Sequence, residues 1–404
     1  MTPELRQLLG NQPFTRFLLA RFFGLTASQM LMVALAWHMY DLTRSAWDLG
    51  LVGLFQFVPA LLVTLPAGQV VDRWHRGRIF SACVLLQALT ALVLVGAMGL
   101  GWDSRNLILA LSVVLGVVRA FQMPAQQALT PLLVPSSLLA RAVALSSSAV
   151  QVSVIGGPAL GGVLYAAGAG AVYATCSVLS LAACALALRV HYAHQAAAGR
   201  AVSMREALAG LRFVWQRKVL LGAVSLDMFA VLLGGAVALL PIYARDILHT
   251  GPEGLGLLRA APAVGALLMS LVLTRWPLQR HVGQLLFAAV AVFGLATVAF
   301  GLSQQLWLSV LALAVTGAAD NISVVVRLTV MQLETPDEMR GRVAAVNTIF
   351  IGASNQLGEF ESGTVAAIWG PEVSAISGGL GTVLVALLWW RLFPTLAQRD
   401  RLRG

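Results

Sequence analysis

Apolar residues along this chain come in long runs, and the runs share a length. About 20 apolar residues in a helix cross a hydrocarbon core of about 30 Å. Runs of that size lie near residues 17–40, 46–71, 79–101, 106–128, 142–167, 170–189, 219–243, 254–275, 283–302, 306–328, 343–369 and 374–392. Gly and Pro recur inside them, which spanning helices tolerate because neighbouring groups satisfy the freed backbone. Charged residues punctuate the runs. The pattern predicts twelve transmembrane helices.

Composition sharpens this picture. Hydrophobic residues make up 58% of the 404 and charged residues 11%, against about 25% charged in a soluble domain. So few charges cannot make a water-facing surface, and lipid is expected to cover most of the protein. Arg16 and Arg21 lead straight into a long span, without the short apolar core and small-residue site of a cleavable signal peptide. Cys83, Cys176 and Cys184 all sit in apolar runs and read as small hydrophobes, so no metal, cofactor or disulfide framework is expected. No Gly-x-x-x-x-Gly-Lys-Ser/Thr loop is present, which excludes an ATP motor of that type.

The net charge of +10 raises nucleic acid as a partner, but its distribution points to a membrane. With the N-terminus inside, twenty Lys and Arg fall on the cytoplasmic side and three (Arg44, Arg105, Arg245) on the other. Basic loops on one face set the topology. Both termini are therefore expected in the cytoplasm and the number of spans is even. Four arginines, Arg21, Arg119, Arg259 and Arg327, fall within spans.

The widest polar gap, 190–218, divides the chain into expected domains 1–189 and 219–404. From Ser203 to Trp215 its apolar residues recur at helical spacing with basic residues between, which predicts an amphipathic helix on the inner leaflet. The two domains repeat each other. Arg73, Trp74 and Arg78 match Arg275, Trp276 and Arg280 at an offset of 202, and Pro135, Arg141 and Ala144 match Pro336, Arg342 and Ala345 at an offset of 201. Parallel six-helix halves related about the membrane normal define the major facilitator architecture, and the chain resembles that superfamily over essentially its whole length. The stretches Ala36-Trp37-His38-Met39-Tyr40-Asp41-Leu42-Thr43, Ala120-Phe121-Gln122-Met123-Pro124-Ala125, Leu226-Asp227-Met228-Phe229 and Thr335-Pro336-Asp337-Glu338-Met339-Arg340-Gly341-Arg342 resemble its enterobactin-exporter and macrolide-efflux branch. The fold implied is all-α, twelve transmembrane helices in two pseudo-symmetric bundles. The function implied is efflux of a small siderophore-like or hydrophobic-drug molecule, by a monomer of the superfamily type.

Two motifs carry the resemblance further. Gly68-Gln69-Val70-Val71-Asp72-Arg73-Trp74-His75-Arg76-Gly77-Arg78 resembles the superfamily's loop between spans two and three. Gly68 is expected to let two helices approach, and Asp72, Arg73, Arg76 and Arg78 to form a cytoplasmic latch. His75 and Gly77 depart from the usual order at the turn. In span five, Gly157-Pro158-Ala159-Leu160-Gly161-Gly162 resembles the signature of proton-driven exporters. Pro158 bends the helix, while Gly157, Gly161 and Gly162 flatten a face expected to pack against the other half.

Charge at bilayer depth is the remaining clue, because a carboxylate there is costly unless it meets water, a partner or a proton. Asp227 lies in span seven, Asp320 in span ten, and Glu359 and Glu361 in span eleven. Arg119, in span four, resembles a basic position of proton-coupled relatives. It precedes Asp320 by 201 residues, which suggests equivalent depths and an ion pair between them. Glu359 and Glu361 are two apart, about 200° round a helix, and cannot both point into one cavity. These five residues are the proton-coupling candidates, with Asp320 first and Asp227 second. Gln29, Trp37, Gln56, Gln122 and Asn321 are candidate cavity residues, although core packing is the simpler reading for the first three. The function expected is proton-coupled export by alternating access. A nutrient importer of the same fold and a membrane scaffold without flux are its rivals.

Overall fold

A computed structural model describes residues 3–191, 204–276, 278 and 280–400. The first half contains helices α1 (Gln12–Thr43), α2 (Ala46–Arg73), α3 (Arg76–Leu100), α4 (Arg105–Leu133), α5 (Leu139–Tyr165) and α6 (Ala169–Leu188). The shorter α7 (Met204–Gln216) follows. The second half contains α8 (Lys218–Leu233), α9 (Gly251–Arg275), α10 (Val282–Leu302), α11 (Leu306–Glu334), α12 (Asp337–Trp369) and α13 (Pro371–Leu392). Eleven of the described helices, counting Lys218–Ile247 as one broken span, are long and apolar enough to cross a membrane. The predicted span at 343–369 lies in α12, which has the length at 33 residues but carries too many polar groups to pass on apolarity.

The internal repeat reaches the backbone. Pro135 (φ −59°, ψ 151°) and Pro336 (φ −57°, ψ 151°) turn the chain identically after α4 and α11. Gly168 (φ 105°, ψ 154°) starts α6 and Gly370 (φ 91°, ψ 159°) starts α13. These glycines, 202 apart like Arg73 and Arg275, both hold a conformation that a Cβ makes very costly.

The chain divides into two compact units, Met1–Leu42 with Val58–Ala201, and Thr43–Phe57 with Val202–Gly404. Each has its own apolar core. Phe14, Phe17, Phe80 and Leu129 belong to the first, and Leu226, Phe287, Val326 and Val330 to the second. The boundary differs from the expected 1–189 because residues 43–57 group with the C-terminal half. The cause is close packing of small residues. A Cβ on Gly363 of α12 would lie 2.8 Å from Gly50 Cα and 2.9 Å from the Ala46 carbonyl, and one on Gly53 would lie 2.9 Å from Glu359 Oε2. Without hydrophobic drive between helices in lipid, such close backbone approach is what holds them together.

The amphipathic helix expected before Lys218 is α7. Val214 is buried and Leu211 and Phe213 pack on the C-terminal core, while Leu208, Arg212 and Trp215 are exposed. A Cβ on Gly210 would sit 2.7 Å from the Arg342 carbonyl, so α7 lies directly on the start of α12. Ser203 and the loop before it lie outside the described residues.

Two expectations about glycine are corrected. Gly68 makes no close helix contact among the described residues, since a Cβ there would meet nothing within 4 Å. Its end of α2 is largely open, with Pro66, Gln69 and Arg73 exposed. The span-five glycines pack within their own half. A Cβ on Gly157 would lie 2.6 Å from Gln29 Cβ, and one on Gly161 would lie 3.1 Å from Met30 Cα, both on α1. Ser153 and Thr26 join the same seam by a hydroxyl–hydroxyl hydrogen bond of 3.0 Å.

These contrasts are measurable in the purified protein. Gly168→Ala and Gly370→Ala should each cost about 1–3 kcal/mol of backbone strain and lower the thermal midpoint. Gly157→Ala should also lower it, because the helix seam must open. Gly68→Ala should leave it unchanged; an equal loss there would refute the open environment of Gly68.

Candidate functional site

The second unit lines a cavity of about 330 Å³, within the range of small-molecule sites. It forms where span seven breaks. After α8 ends, Gly234 and Gly235 interrupt the helix, and the chain continues as a tight 3-10 turn (Ala236–Leu239), one α-helical turn and a π-helical turn (Tyr243–Ile247). The break is wedged between neighbours. A Cβ on Gly234 would meet Phe293 Cε1 of α10 at 2.5 Å, and one on Gly235 would meet the Gly358 carbonyl carbon of α12 at 2.5 Å. Irregular backbone at this depth is tolerated where it is buried in protein or lines a cavity, and Gly234, Gly235, Ala236 and Val237 all line this one.

Three carboxylates from three helices reach the cavity wall: Asp227 of α8, Asp320 of α11 and Glu359 of α12. Asp227 and Arg327 are both almost wholly buried and form an ion pair. A buried charge of either sign is affordable only when paired, so each residue explains the other. Arg327 lies seven residues after Asp320, two turns along the same helix face, and both line the cavity. The Arg327 Nε has no hydrogen-bond partner among the described residues. Glu359 has an electrostatic partner in Arg259 of α9. Asp320 has neither an ion pair nor a hydrogen bond among the described residues.

The other candidates are placed as follows. Glu361 does not line the cavity; it accepts a hydrogen bond from the Ser362 hydroxyl at 3.3 Å. Asn321 does not line it either, contrary to expectation. One residue on from Asp320, it is turned by about 100° and accepts a hydrogen bond from Ser270 of α9 at 3.3 Å. Gln56 is buried on the α2 segment of the second unit, outside the cavity wall. In the first unit, Trp37 is buried against the Tyr165 ring, Gln122 is buried, and Gln29 abuts Gly157. Arg119 is exposed on α4 and makes no ion pair among the described residues. Arg76 donates to the Ala128 carbonyl at 3.5 Å, and Arg73 and Arg78 are exposed. The Asp72 side chain lies outside the described residues.

Sequence reading missed two cationic partners, Arg327 and Arg259. The signal was present in both: an arginine in an apolar span demands a nearby carboxylate. It also missed a polar cluster in the first unit, where buried His38 meets the Tyr173 hydroxyl at 3.0 Å and Asp103 at 3.3 Å.

A broken helix and buried charges around a cavity, on repeated helical halves, define the major facilitator class of transporter. Solved structures agree on the fold. A bacterial homologue of the iron transporter ferroportin, in an inward-facing state, aligns with a TM-score of 0.71 at 15% identity over 96% of this chain and 99% of that one. The nucleoside transporter NupG aligns with a TM-score of 0.67 at 13% identity over 94% and 99%. Residues 8–401 match the family described as Transmembrane secretion effector, and the chain belongs to it. Curated relatives include the Enterobactin exporter EntS of Citrobacter koseri, 26% identical over 97% of this chain and 94% of that one. The Multidrug efflux pump Tap of Mycolicibacterium fortuitum is 29% identical over 92% and 94%. The protein is a multi-pass membrane transporter of the superfamily's efflux branch.

The ion pair makes a quantitative prediction. Asp227→Ala or Arg327→Ala alone leaves a buried charge unpaired and should destabilise by about 3–5 kcal/mol. The double variant should recover part of that loss. Additive losses in the double variant, read from thermal unfolding in detergent, would show that the two side chains do not depend on each other.

Proposed function

We propose that this protein exports a small amphipathic molecule across the inner membrane in exchange for protons, by alternating access, with both termini in the cytoplasm. The observation that carries the reading is Asp320, a carboxylate on a cavity wall with no cation paired to it among the described residues. A carboxylate in that position is stabilised by a proton when the cavity is otherwise apolar and by water or a ligand when it opens. Asp227 is less suited to proton exchange, because Arg327 already compensates its charge. Glu359 is similarly engaged with Arg259. The relatives named as an enterobactin exporter and a multidrug efflux pump support the outward direction.

Other parts of the molecule take supporting roles in this proposal. Gly157, Pro158, Gly161 and Gly162 shape the seam with α1 that must hold while the transporter moves. The basic loop of Arg73, Arg76 and Arg78 faces the cytoplasm, where α7 rests on the lipid headgroups through Leu208 and Trp215.

The test is transport in inverted proteoliposomes under an imposed pH gradient, with a panel of a catecholate siderophore, a macrolide and a lipophilic dye. At least one compound should be taken up in proportion to the gradient. Asp320→Asn should abolish the gradient dependence of that uptake while leaving the protein folded. Gradient-driven uptake that survives in Asp320→Asn would move the proton to Glu359 or Asp227. Uptake indifferent to the gradient would overturn the antiport reading.

A further inference from the structure

The last described residues run back across one end of the second unit. After α13, Phe393 leads into a single helical turn, Pro394–Ala397, and then to Asp400. Leu396 and Ala397 are buried and join the second unit's apolar core. The segment meets three helix ends. At the start of α8, a Cβ on Gly222 would lie 2.8 Å from the Phe393 ring. At the start of α10, His281 holds a left-handed conformation and provides no side-chain cap, so the first N–H groups of that helix need acceptors from elsewhere. The segment supplies them. His281 N–H donates to the Asp400 carboxylate at 3.1 Å, Val282 N–H to the Asp400 carbonyl at 3.3 Å and Gly283 N–H to the Arg399 carbonyl at 2.9 Å. A carboxylate at a helix start also matches the helix dipole. A Cβ on Gly283 would lie 2.7 Å from the Ala397 carbonyl oxygen, so the segment comes this close only because residue 283 is glycine. At the end of α11, the Arg399 guanidinium pairs with Glu334 at 2.6 Å, and both side chains are partly covered.

All three helices held in this way line the cavity, through Asp227 of α8, Phe293 of α10 and Asp320 of α11. Glu334 lies two turns beyond Arg327 on α11. The first unit restrains the equivalent position from the other end of the chain. Asn11, just before α1, donates to the Leu133 carbonyl at 2.8 Å. Leu133 ends α4 as Glu334 ends α11, 201 residues later. We infer that the segment Phe393–Asp400 is a strap that ties the ends of α8, α10 and α11 and so sets how readily the cavity opens on that side. With both termini in the cytoplasm, this is the side from which an exported molecule enters; for that direction the inference rests on the proposed export reading. Fastened, the strap holds the mouth of the cavity narrow. Released from Arg399, the end of α11 can swing outward while the Asp227–Arg327 pair, two turns further in, keeps the register of α11 against α8.

A reporter cysteine on the cavity wall tests the strap. Thr316→Cys is placed in the full chain with the buried Cys83, Cys176 and Cys184 changed to Ala. Its reaction with a membrane-impermeant maleimide is timed in inside-out and in right-side-out vesicles. Arg399→Glu and Glu334→Arg should each raise the rate about 10-fold in inside-out vesicles, the population shift expected from loss of one charge-assisted contact. The double exchange, Arg399→Glu with Glu334→Arg, should restore the original rate. Gly283→Val, which displaces the strap without touching either charge, should raise it as well. A thermal-unfolding scan on each variant separates an opened mouth from a lost fold. Lower thermal midpoints with labelling unchanged in every variant would make the segment a structural staple and overturn the strap. A double exchange that labels as fast as the single variants would overturn it too. A rise confined to right-side-out vesicles keeps the strap and reverses the proposed orientation of the termini.

Discussion

The buried pair of Asp227 and Arg327 is the constraint on which the C-terminal site depends. Neither group is tolerable alone at that depth, since an unpaired charge in low dielectric costs far more than the pair does. Holding them together fixes the rotation of α8 against α11. That rotation decides the rest. With Arg327 facing α8, residues two and three turns earlier on α11 face the same way, which brings Asp320 and Thr316 to the cavity wall. The pair is thus chiefly a device for register, a role that buried polar groups serve in some proteins at a cost in stability.

The break at Gly234 and Gly235 follows from similar packing logic. An unbroken helix would put side chains where Phe293 and Gly358 approach the backbone. Two glycines remove those side chains, and the cavity occupies the space beside the interrupted backbone. The same device recurs along α12. Gly358 accommodates the end of α8, and Gly363 accommodates the α2 segment at Gly50. Glu359 lies between them, lining the cavity while its carboxylate touches the position of Gly53. One residue therefore belongs both to the cavity and to the seam with α2.

The fold was legible in the sequence to a large degree, and for a simple reason. Helix length in a bilayer is set by thickness, so each apolar run falls on a long helix, with ends off by up to six residues and the break of span seven after Leu233 unforeseen. The repeat was legible because turns are sequence-local: Pro135 and Pro336, or Gly168 and Gly370, adopt their conformations for reasons contained in the residues themselves. What was not legible depends on rotation and partner. Asn321 was expected at the cavity beside Asp320, but one residue is about 100° of helix and takes it toward Ser270. Gly157 and Gly161 were expected to face the other half and pack on α1 instead, because a small-residue pattern does not say which helix it receives. Arg327 was visible as an intramembrane cation, yet its match to Asp227 rather than Asp320 is a fact of geometry.

The helix that fails the apolarity test teaches the most about where function lies. α12 is 33 residues long, as long as any spanning helix in the chain, yet Asn347, Asn355, Gln356, Glu359 and Glu361 dilute its hydrophobicity. Those residues have distinct uses. Asn355 and Glu359, one turn apart, line the cavity. Gln356 and Asn347 are buried among neighbouring helices, and Glu361 takes a hydrogen bond from Ser362. A helix with lipid on one side needs an apolar stripe only there, and a helix surrounded by protein and cavity needs less. Polar residues survive in a span only where something other than lipid receives them. The dip in hydropathy at 343–369 is therefore itself a trace of the site: the segment least like a membrane helix by composition is the one that gives Asn355 and Glu359 to the cavity wall.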